Sequence, residues 1–241
     1  MSLHLRISTT LALFFLALSS AFADAASDAR TWWSEATSAY GKALGLEAGR
    51  TRIRIDEMNE EGSVTSYESG ETVAEWAGSE RKVSVVKAEK NGKDVSAAWR
   101  KRYEGPSTDG TSGATRKGGT PSGFDATPFD PKYAVSVTLG SPKAAGGYIE
   151  LPYTIAADGG DIKGIAVFTT SGKPRSAVQE WVSPPTFVSS MRSSLVFAYE
   201  AEALVISGMV IEVNASILFV KKRFRMSFEF SEWKRPPKVR D

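Results

Sequence analysis

Nucleophilic and metal chemistry lean on His and Cys, and this sequence has no Cys and one His, His4. Serines are numerous, but a serine nucleophile needs a base to take its proton, and no G-x-S-x-G elbow is present. Carboxylates gather at Asp56-Glu57 and Glu60-Glu61, at a strand end and a turn, where acidic side chains are ordinarily solvated. A glycosidase pair would have to face itself across a cleft, which this spacing does not specify. Arg116-Lys117 sits between glycines in the run Gly113 to Gly119, without the G-x-x-x-x-G-K-[ST] spacing or a following helix, so a solvated loop is expected rather than a phosphate cradle. Asp158-Gly159-Gly160-Asp161 lacks the ligand ladder of a calcium loop and reads as a turn. Asn214-Ala215-Ser216 matches a glycosylation sequon but falls in mid-strand. The expectation is a protein that is not an enzyme and uses no cofactor and no metal.

The residues that stand out are apolar. Met209, Ile211, Val213, Ala215, Ile217 and Phe219 alternate with Glu212, Asn214 and Ser216. Phe224, Met226, Phe228 and Phe230 alternate with Arg225, Ser227 and Glu229. Period-two alternation makes these two strands with one apolar face each. At ~3.3 Å per residue an eleven-residue strand reaches ~36 Å, a length that belongs to a large curved antiparallel sheet. Two readings of that face stand side by side. Helices cover it and it is core, or it lines a partly filled cavity that accepts acyl chains, a task Met and Phe suit because they repack around varied shapes. The candidate ligand-binding set is Met209, Ile211, Val213, Ile217, Phe219, Phe224, Met226, Phe228 and Phe230.

The remaining elements must position this face. Arg6, the run Leu11 to Leu18 and Ala21-Phe22-Ala23 have the order of a signal peptide. The run is too short to span a bilayer, which takes about 20 helical residues. Cleavage after residue 23 would remove His4 with it and leave a periplasmic mature domain, 24–241. Trp32, Ala36, Tyr40 and Leu44 recur at four-residue spacing after the capping Asp28, predicting a helix over 28–44. Strands are expected at Arg50–Met58, at Ser63–Trp76 with a turn at Ser69-Gly70, and at Arg81–Glu89 and Asp94–Tyr103 around Asn91-Gly92, a type I′ signal. Gly105–Pro131, rich in Gly, Ser, Thr and Pro, reads as a long flexible insertion. Further strands are expected at Tyr133–Leu139, Tyr148–Ile155, Ile162–Thr169 and Pro174–Val182. A short helical or irregular piece follows Pro184. Thirty basic against 28 acidic residues give a net charge of +2, so no nucleic-acid partner is expected.

Three stretches carry a family likeness: Val86-Lys87-Ala88-Glu89-Lys90-Asn91-Gly92-Lys93-Asp94-Val95, then Gly164 to Pro174, then Phe219-Val220-Lys221-Lys222-Arg223-Phe224-Arg225 leading to Phe228-Glu229-Phe230-Ser231-Glu232-Trp233. With the signal, one N-terminal helix and a succession of strands, the chain resembles the LolA/LolB-like superfamily of periplasmic lipoprotein carriers. The resemblance implies a mainly β, α+β protein: a half-open β-barrel with the N-terminal helix and short lid helices over a hydrophobic interior. It implies a monomeric carrier of lipid or lipoprotein acyl chains, working in lipoprotein sorting or lipid transport with envelope membrane proteins as further partners. Absence of Cys fits the soluble carrier of that group rather than its lipid-anchored acceptor. The 105–131 insertion departs from the pattern. Arg52 and Arg54 are the candidates for the lid-holding arginine of such carriers. The alternative is a cell-envelope protein whose sheet face is fully packed and which acts through protein–protein contacts.

Overall fold

The computed structural model describes residues 28–77, 80–104, 127–157, 160–184, 187–217 and 220–237. Helix α1 covers 28–43 and buries Ala29, Trp33 and Ala36, one turn-and-a-bit apart on a single face. The buried stripe is rotated from the expected one, and Leu44 is exposed beyond the helix end, where Gly45 takes φ 86. Twelve strands follow: β1 (Glu47–Met58), β2 (Val64–Ala77), β3 (Glu80–Lys90), β4 (Lys93–Asp94), then after α2 (Ser96–Tyr103) β5 (Val137–Leu139), β6 (Lys143–Ala145), β7 (Tyr148–Ile155), β8 (Ile162–Thr169), β9 (Pro174–Trp181), β10 (Val188–Glu200), β11 (Ala203–Ile217) and β12 (Val220–Lys234). The chain is mostly β, and its strands make one open antiparallel sheet in the order β4-β3-β2-β1-β12-β11-β10-β9-β8-β7-β5, with β6 also on β7. The first strand therefore pairs with the last, from Glu47 opposite Lys234 to Met58 opposite Arg223.

Four sequence expectations change here, the first at Tyr133–Leu139, where a 3-10 turn and a further turn come first and β5 begins only at Val137. Ser69-Gly70 is not a turn. β2 runs through it unbroken, because Gly70 leaves room for the Trp99 ring, which any Cβ at that position would strike. Asp94–Tyr103 is not a second hairpin arm. The Asn91-Gly92 turn is present, with φ 49 and 76, but β4 lasts two residues. Asp94 Oδ1 then accepts from the Ser96 amide at 2.8 Å, and the good helix formers Ala97 and Ala98 carry the chain into α2. After Pro184, residues 185–186 lie outside the described residues, and from Val188 the chain is strand β10 rather than a helical or irregular piece. Of the expected insertion, residues 105–126 and the pair Arg116-Lys117 lie outside the described residues. Its end is packed: Thr127, Pro128 and Phe129 are buried, and Asp130 caps the 3-10 turn Pro131–Tyr133. The signal segment also lies outside the described residues.

Register assigns the faces. Residues opposite one another in an antiparallel pair point the same way, so Ala88, Gly70, Ile53, Phe228, Met209, Leu195, Ala177, Ala166 and Leu151 form one transverse row on one face. Both helices pack on this inner face. At one end α1 and Phe129 lie over β7–β11, where Trp33, Phe129, Tyr153, Phe168 and Phe197 meet ring to ring with centroids 4.8 to 5.8 Å apart. At the other end Trp99 of α2 caps Val85, Ala88 and Ile53. On the outer face a second row reads Asp56, Arg225, Glu212, Arg192, Glu180, Lys163, alternating in sign across six strands.

Replacing Gly70 with alanine should destabilise the protein by ~1–3 kcal/mol, the range for forcing a methyl into a filled site. Urea denaturation followed by Trp fluorescence measures it. In a Trp99→Ala background the same substitution should cost much less, since the ring it strikes is gone.

Candidate functional site

β12 supplies the site. Its sequence alternates, and its neighbours β1 and β11 do the same in matching register: Ile53 opposite Phe228, Ile55 opposite Met226, Met209 opposite Phe228, Ile211 opposite Met226, Val213 opposite Phe224. Seven of the candidate residues thus share the inner face. They are not equivalent. Ile211 is buried at 3% exposure, and Met209 and Val213 pack against the core under α1. Phe224, Met226, Phe228 and Phe230 are half-buried and, among the described residues, belong to neither helix-covered cluster. Phe228 and Phe230 lie in parallel planes, 2° apart, with centroids 6.0 Å apart. Half-buried Ile55 extends this strip onto β1, next to Ile53, which packs under Trp99. From Phe224 to Phe230 it runs ~20 Å at ~3.3 Å per residue. Ile217 closes β11 and Phe219 lies outside the described residues.

Sequence reasoning read Ile53 and Ile55 as an apolar strand face but not as site residues. The alternation in Arg50–Met58 was the signal. Its pairing with a strand some 170 positions later was the missing fact.

Polar groups bound the strip. Lys222 pairs with Glu57 at its β12 start. Across β1, Glu68 accepts from Trp99 Nε1 at 2.5 Å and from Arg102 at 3.2 Å. Arg52 and Arg54 lie on the opposite face, because they alternate with Ile53 and Ile55. Arg52 stands 3.4 Å from Glu71 and 3.5 Å from Glu229, and Arg54 is 2.8 Å from Asp56 with its guanidinium 4.6 Å above the Tyr67 ring. They line an outer recess of about 760 Å3 together with Ser69, Glu71, Lys87 and Glu229. Charges of both signs on its walls give it no net preference for an anion or a cation. Glu71 is the most covered group there, with a 9% exposed side chain. A hydrogen bond from Arg50 holds its carboxyl below the ordinary value of 4.5.

Three of the four carboxylates singled out in the sequence are in ion pairs, Asp56 with Arg54, Glu57 with Lys222 and Glu60 with Lys221 at 4.0 Å. Asn214 of the sequon donates to Ser190 Oγ at 2.6 Å and accepts from Arg223 Nε at 3.0 Å. Burial pushes the Tyr153 hydroxyl far above its ordinary value, and it donates to Gln179 at 2.9 Å inside the core.

The site sits on a mostly β protein built from one open antiparallel sheet with, among the described residues, two α-helices on the same face. No family model and no curated protein matches the chain. Among solved structures, the complex of MucA with MucB from Pseudomonas aeruginosa is similar over 88% of this chain and 100% of that chain, at 9% identity and a TM-score of 0.22. A porin-like protein from Bacteroides uniformis is similar over 76% of this chain and 96% of that chain, at 7% identity and a TM-score of 0.13. At scores this low neither likeness bears on fold or function.

Two measurements check the geometry. Phe168→Ala, at a fully buried ring, should cost ~3–5 kcal/mol. Phe228→Ala should cost less than half of that, because only the part of the ring already removed from water contributes. Chemical denaturation of both variants gives the comparison. For Glu71, a folded-state carboxyl that titrates below the unfolded one contributes its full stability above the ordinary carboxylate range. That contribution is lost as pH falls through the lowered value. Glu71→Gln should cost ~1–3 kcal/mol at neutral pH and should flatten the fall of melting temperature on acidification below about pH 4.5.

Proposed function

We propose that the protein is a carrier of hydrophobic ligands, taking lipid or lipoprotein acyl chains on the inner face of its sheet. One observation carries this reading. The apolar strip Phe224, Met226, Phe228 and Phe230, extended by Ile55, lies between two helix-covered ends of the face and is itself only half-buried. Apolar side chains in the middle of a sheet face are otherwise the ones helices cover first, so a strip left uncovered points to a surface kept for something apolar. Burying an acyl chain contributes ~0.8 kcal/mol per CH2, so a ~20 Å strip offers a substantial affinity without any polar contact.

In this reading the sheet curls along its length into a half-open barrel of the LolA/LolB-like kind, with α1 and α2 as the flanking covers. Ile211, Met209 and Val213 form the packed wall and the β12–β1 strip forms the ligand-bearing floor. The protein acts as an exported, periplasmic, monomeric carrier without catalytic activity of its own, receiving and delivering its load at envelope membranes.

Phe228→Glu tests the proposal. A carboxylate in the strip faces acyl chains in the loaded state and opposes their binding, yet reaches water when the strip is empty. The variant should keep its circular dichroism spectrum and lose uptake of a fluorescent fatty acid. Unfolding of Phe228→Glu would make the strip packed core. A wild-type protein that takes up no fluorescent fatty acid, and yields no lipid on solvent extraction from its native envelope, would shift the reading to an envelope protein acting through protein contacts.

A further inference from the structure

The edge strands of a sheet carry unpaired main-chain N–H and C=O groups, which folded proteins cover or blunt. The two ends of this sheet are treated differently. Toward the β4 end, side chains cap the edge of β3: Glu104 Oε1 accepts from the Val85 amide and Ser96 Oγ from the Ala88 amide, each at 2.9 Å. At the other end β5 is the last strand and pairs with β7 alone. The Gly140 amide donates to the Pro152 carbonyl, and the Ser136 carbonyl accepts from the Ala156 amide. Ser136, Thr138 and Gly140 therefore turn their main-chain groups toward β7. Alternation turns the N–H and C=O of Val137 and Leu139 the other way, off the sheet, where among the described residues no main-chain group pairs with them.

A groove of about 440 Å3 follows this edge, with α1 as its second wall. Arg30, Ser34 and Thr37 line it from one stripe of the helix, at i, i+4 and i+7. Val137 and Leu139 line it from the inner face of β5 together with Trp33 of α1. Thr138 lines it too, although its side chain takes the other face, so the groove reaches the backbone edge itself. Among the described residues that line it, Arg30 alone is charged. It is exposed and forms no ion pair among the described residues. Just outside the groove Val135 is 98% exposed, the most exposed large apolar side chain among the described residues.

The direction of β5 along α1 follows from two contacts. Pro131 packs at Gly41, near the C-terminal end of the helix. Trp33 meets the Tyr153 ring at 5.1 Å, and Tyr153 lies opposite Leu139. The chain from Pro131 to Leu139 thus runs back toward the start of α1, and Arg30 stands beyond Leu139. From Thr37 to Arg30 the helix wall is ~10 Å long at ~1.5 Å per residue, the length of three residues of extended chain.

We propose that this groove docks an extended segment of a protein partner, which adds to the free edge of β5 through its main chain. One of its inward side chains is apolar and rests on Val137, Leu139 and Trp33. The next inward side chain, two residues away, is an Asp or Glu whose carboxylate meets Arg30. Strand addition takes its affinity from main-chain hydrogen bonds and its specificity from alternate side chains. A groove with one cation and no carboxylate in its lining selects an acidic segment over a basic one. This partner site is separate from the apolar strip and goes beyond the carrier reading.

The probes are fluorescent seven-residue peptides of Thr and Ser, acetylated and amidated, with Leu and Glu two positions apart in either order. Anisotropy reports binding, and amide hydrogen exchange reports where. One order should bind and should slow exchange at Val137 and Leu139. Glu→Gln in the peptide or Arg30→Gln in the protein should weaken it about fivefold, as expected of an ion pair near the surface. Arg30→Glu should reverse the preference, favouring a peptide with Lys in place of Glu. Methylating alternate backbone amides of the peptide should abolish binding, a change that leaves the protein untouched and so decides the matter even if an Arg30 variant misfolds. No binding of either order at about 1 mM peptide, binding without protection of Val137 and Leu139, or indifference to both Arg30→Gln and amide methylation overturns the docking site. None of these outcomes touches fatty-acid uptake, so the carrier reading stands or falls separately.

Discussion

Everything on the inner face depends on the pairing of β1 with β12. The segment 47–58 and the segment 223–234 are the two most distant strands in sequence, and they lie side by side in the middle of the sheet. On one side β1 carries β2, β3 and α2. On the other, β12 leads through β11 back to β7 and the core under α1. Remove that single ladder and two separate half-sheets remain, each with its own helix and neither with a strip. Closing so long a loop is entropically costly and kinetically slow, so the ladder must be strongly specified once formed. Its complementary pattern supplies this: Ile53 and Ile55 meet Phe228 and Met226 on one face, while Asp56 meets Arg225 on the other.

The outer face reinforces that register. A slip of one residue would turn every side chain of a strand to the wrong face. In this sheet it would bring apolar rows outward and break the alternating charges from Asp56 to Lys163, including the 2.9 Å Arg225–Glu212 and 3.7 Å Arg192–Glu180 pairs. Each exposed pair contributes little on its own, but the penalty for misalignment is shared by six strands at once. The outer charges act chiefly as a register key, and the asymmetry of the sheet follows from it: one face carries the charged row, the other is apolar and divided among two helices and a half-buried middle.

The strip is in this sense a remainder. α1 is anchored by Trp33, Ala36 and Ala29 over one end, and α2 is anchored by Trp99 seated on Gly70 over the other. Neither helix reaches Phe224, Met226, Phe228 or Phe230. Which apolar residues are core and which are available is decided by where two short helices land. That depends on a glycine beneath one tryptophan and on small alanines beneath another, not on the hydrophobicity of the strip.

The sequence by itself determined what a local pattern can determine. Period two in 209–217 and 224–230 fixed the strands and their apolar faces, the Asn91-Gly92 pair fixed its turn, and the apolar helix after Asp28 was readable from its spacing. It misread the places where a neighbour remote in sequence overrides local preference. Gly70 reads as a turn until Trp99 lies on it, Asp94–Tyr103 reads as a strand until the short β4 ends, and the stretch after Pro184 reads as helical or irregular until β11 pairs with β10. Only the tertiary structure decided that Ile211 is core while Phe228 is half-buried, although both occupy the same face. It alone turned Arg52 and Arg54 outward. The physical reason is that alternation assigns a side chain to a face, whereas exposure, pairing and site geometry arise from strands that meet across the whole length of the chain.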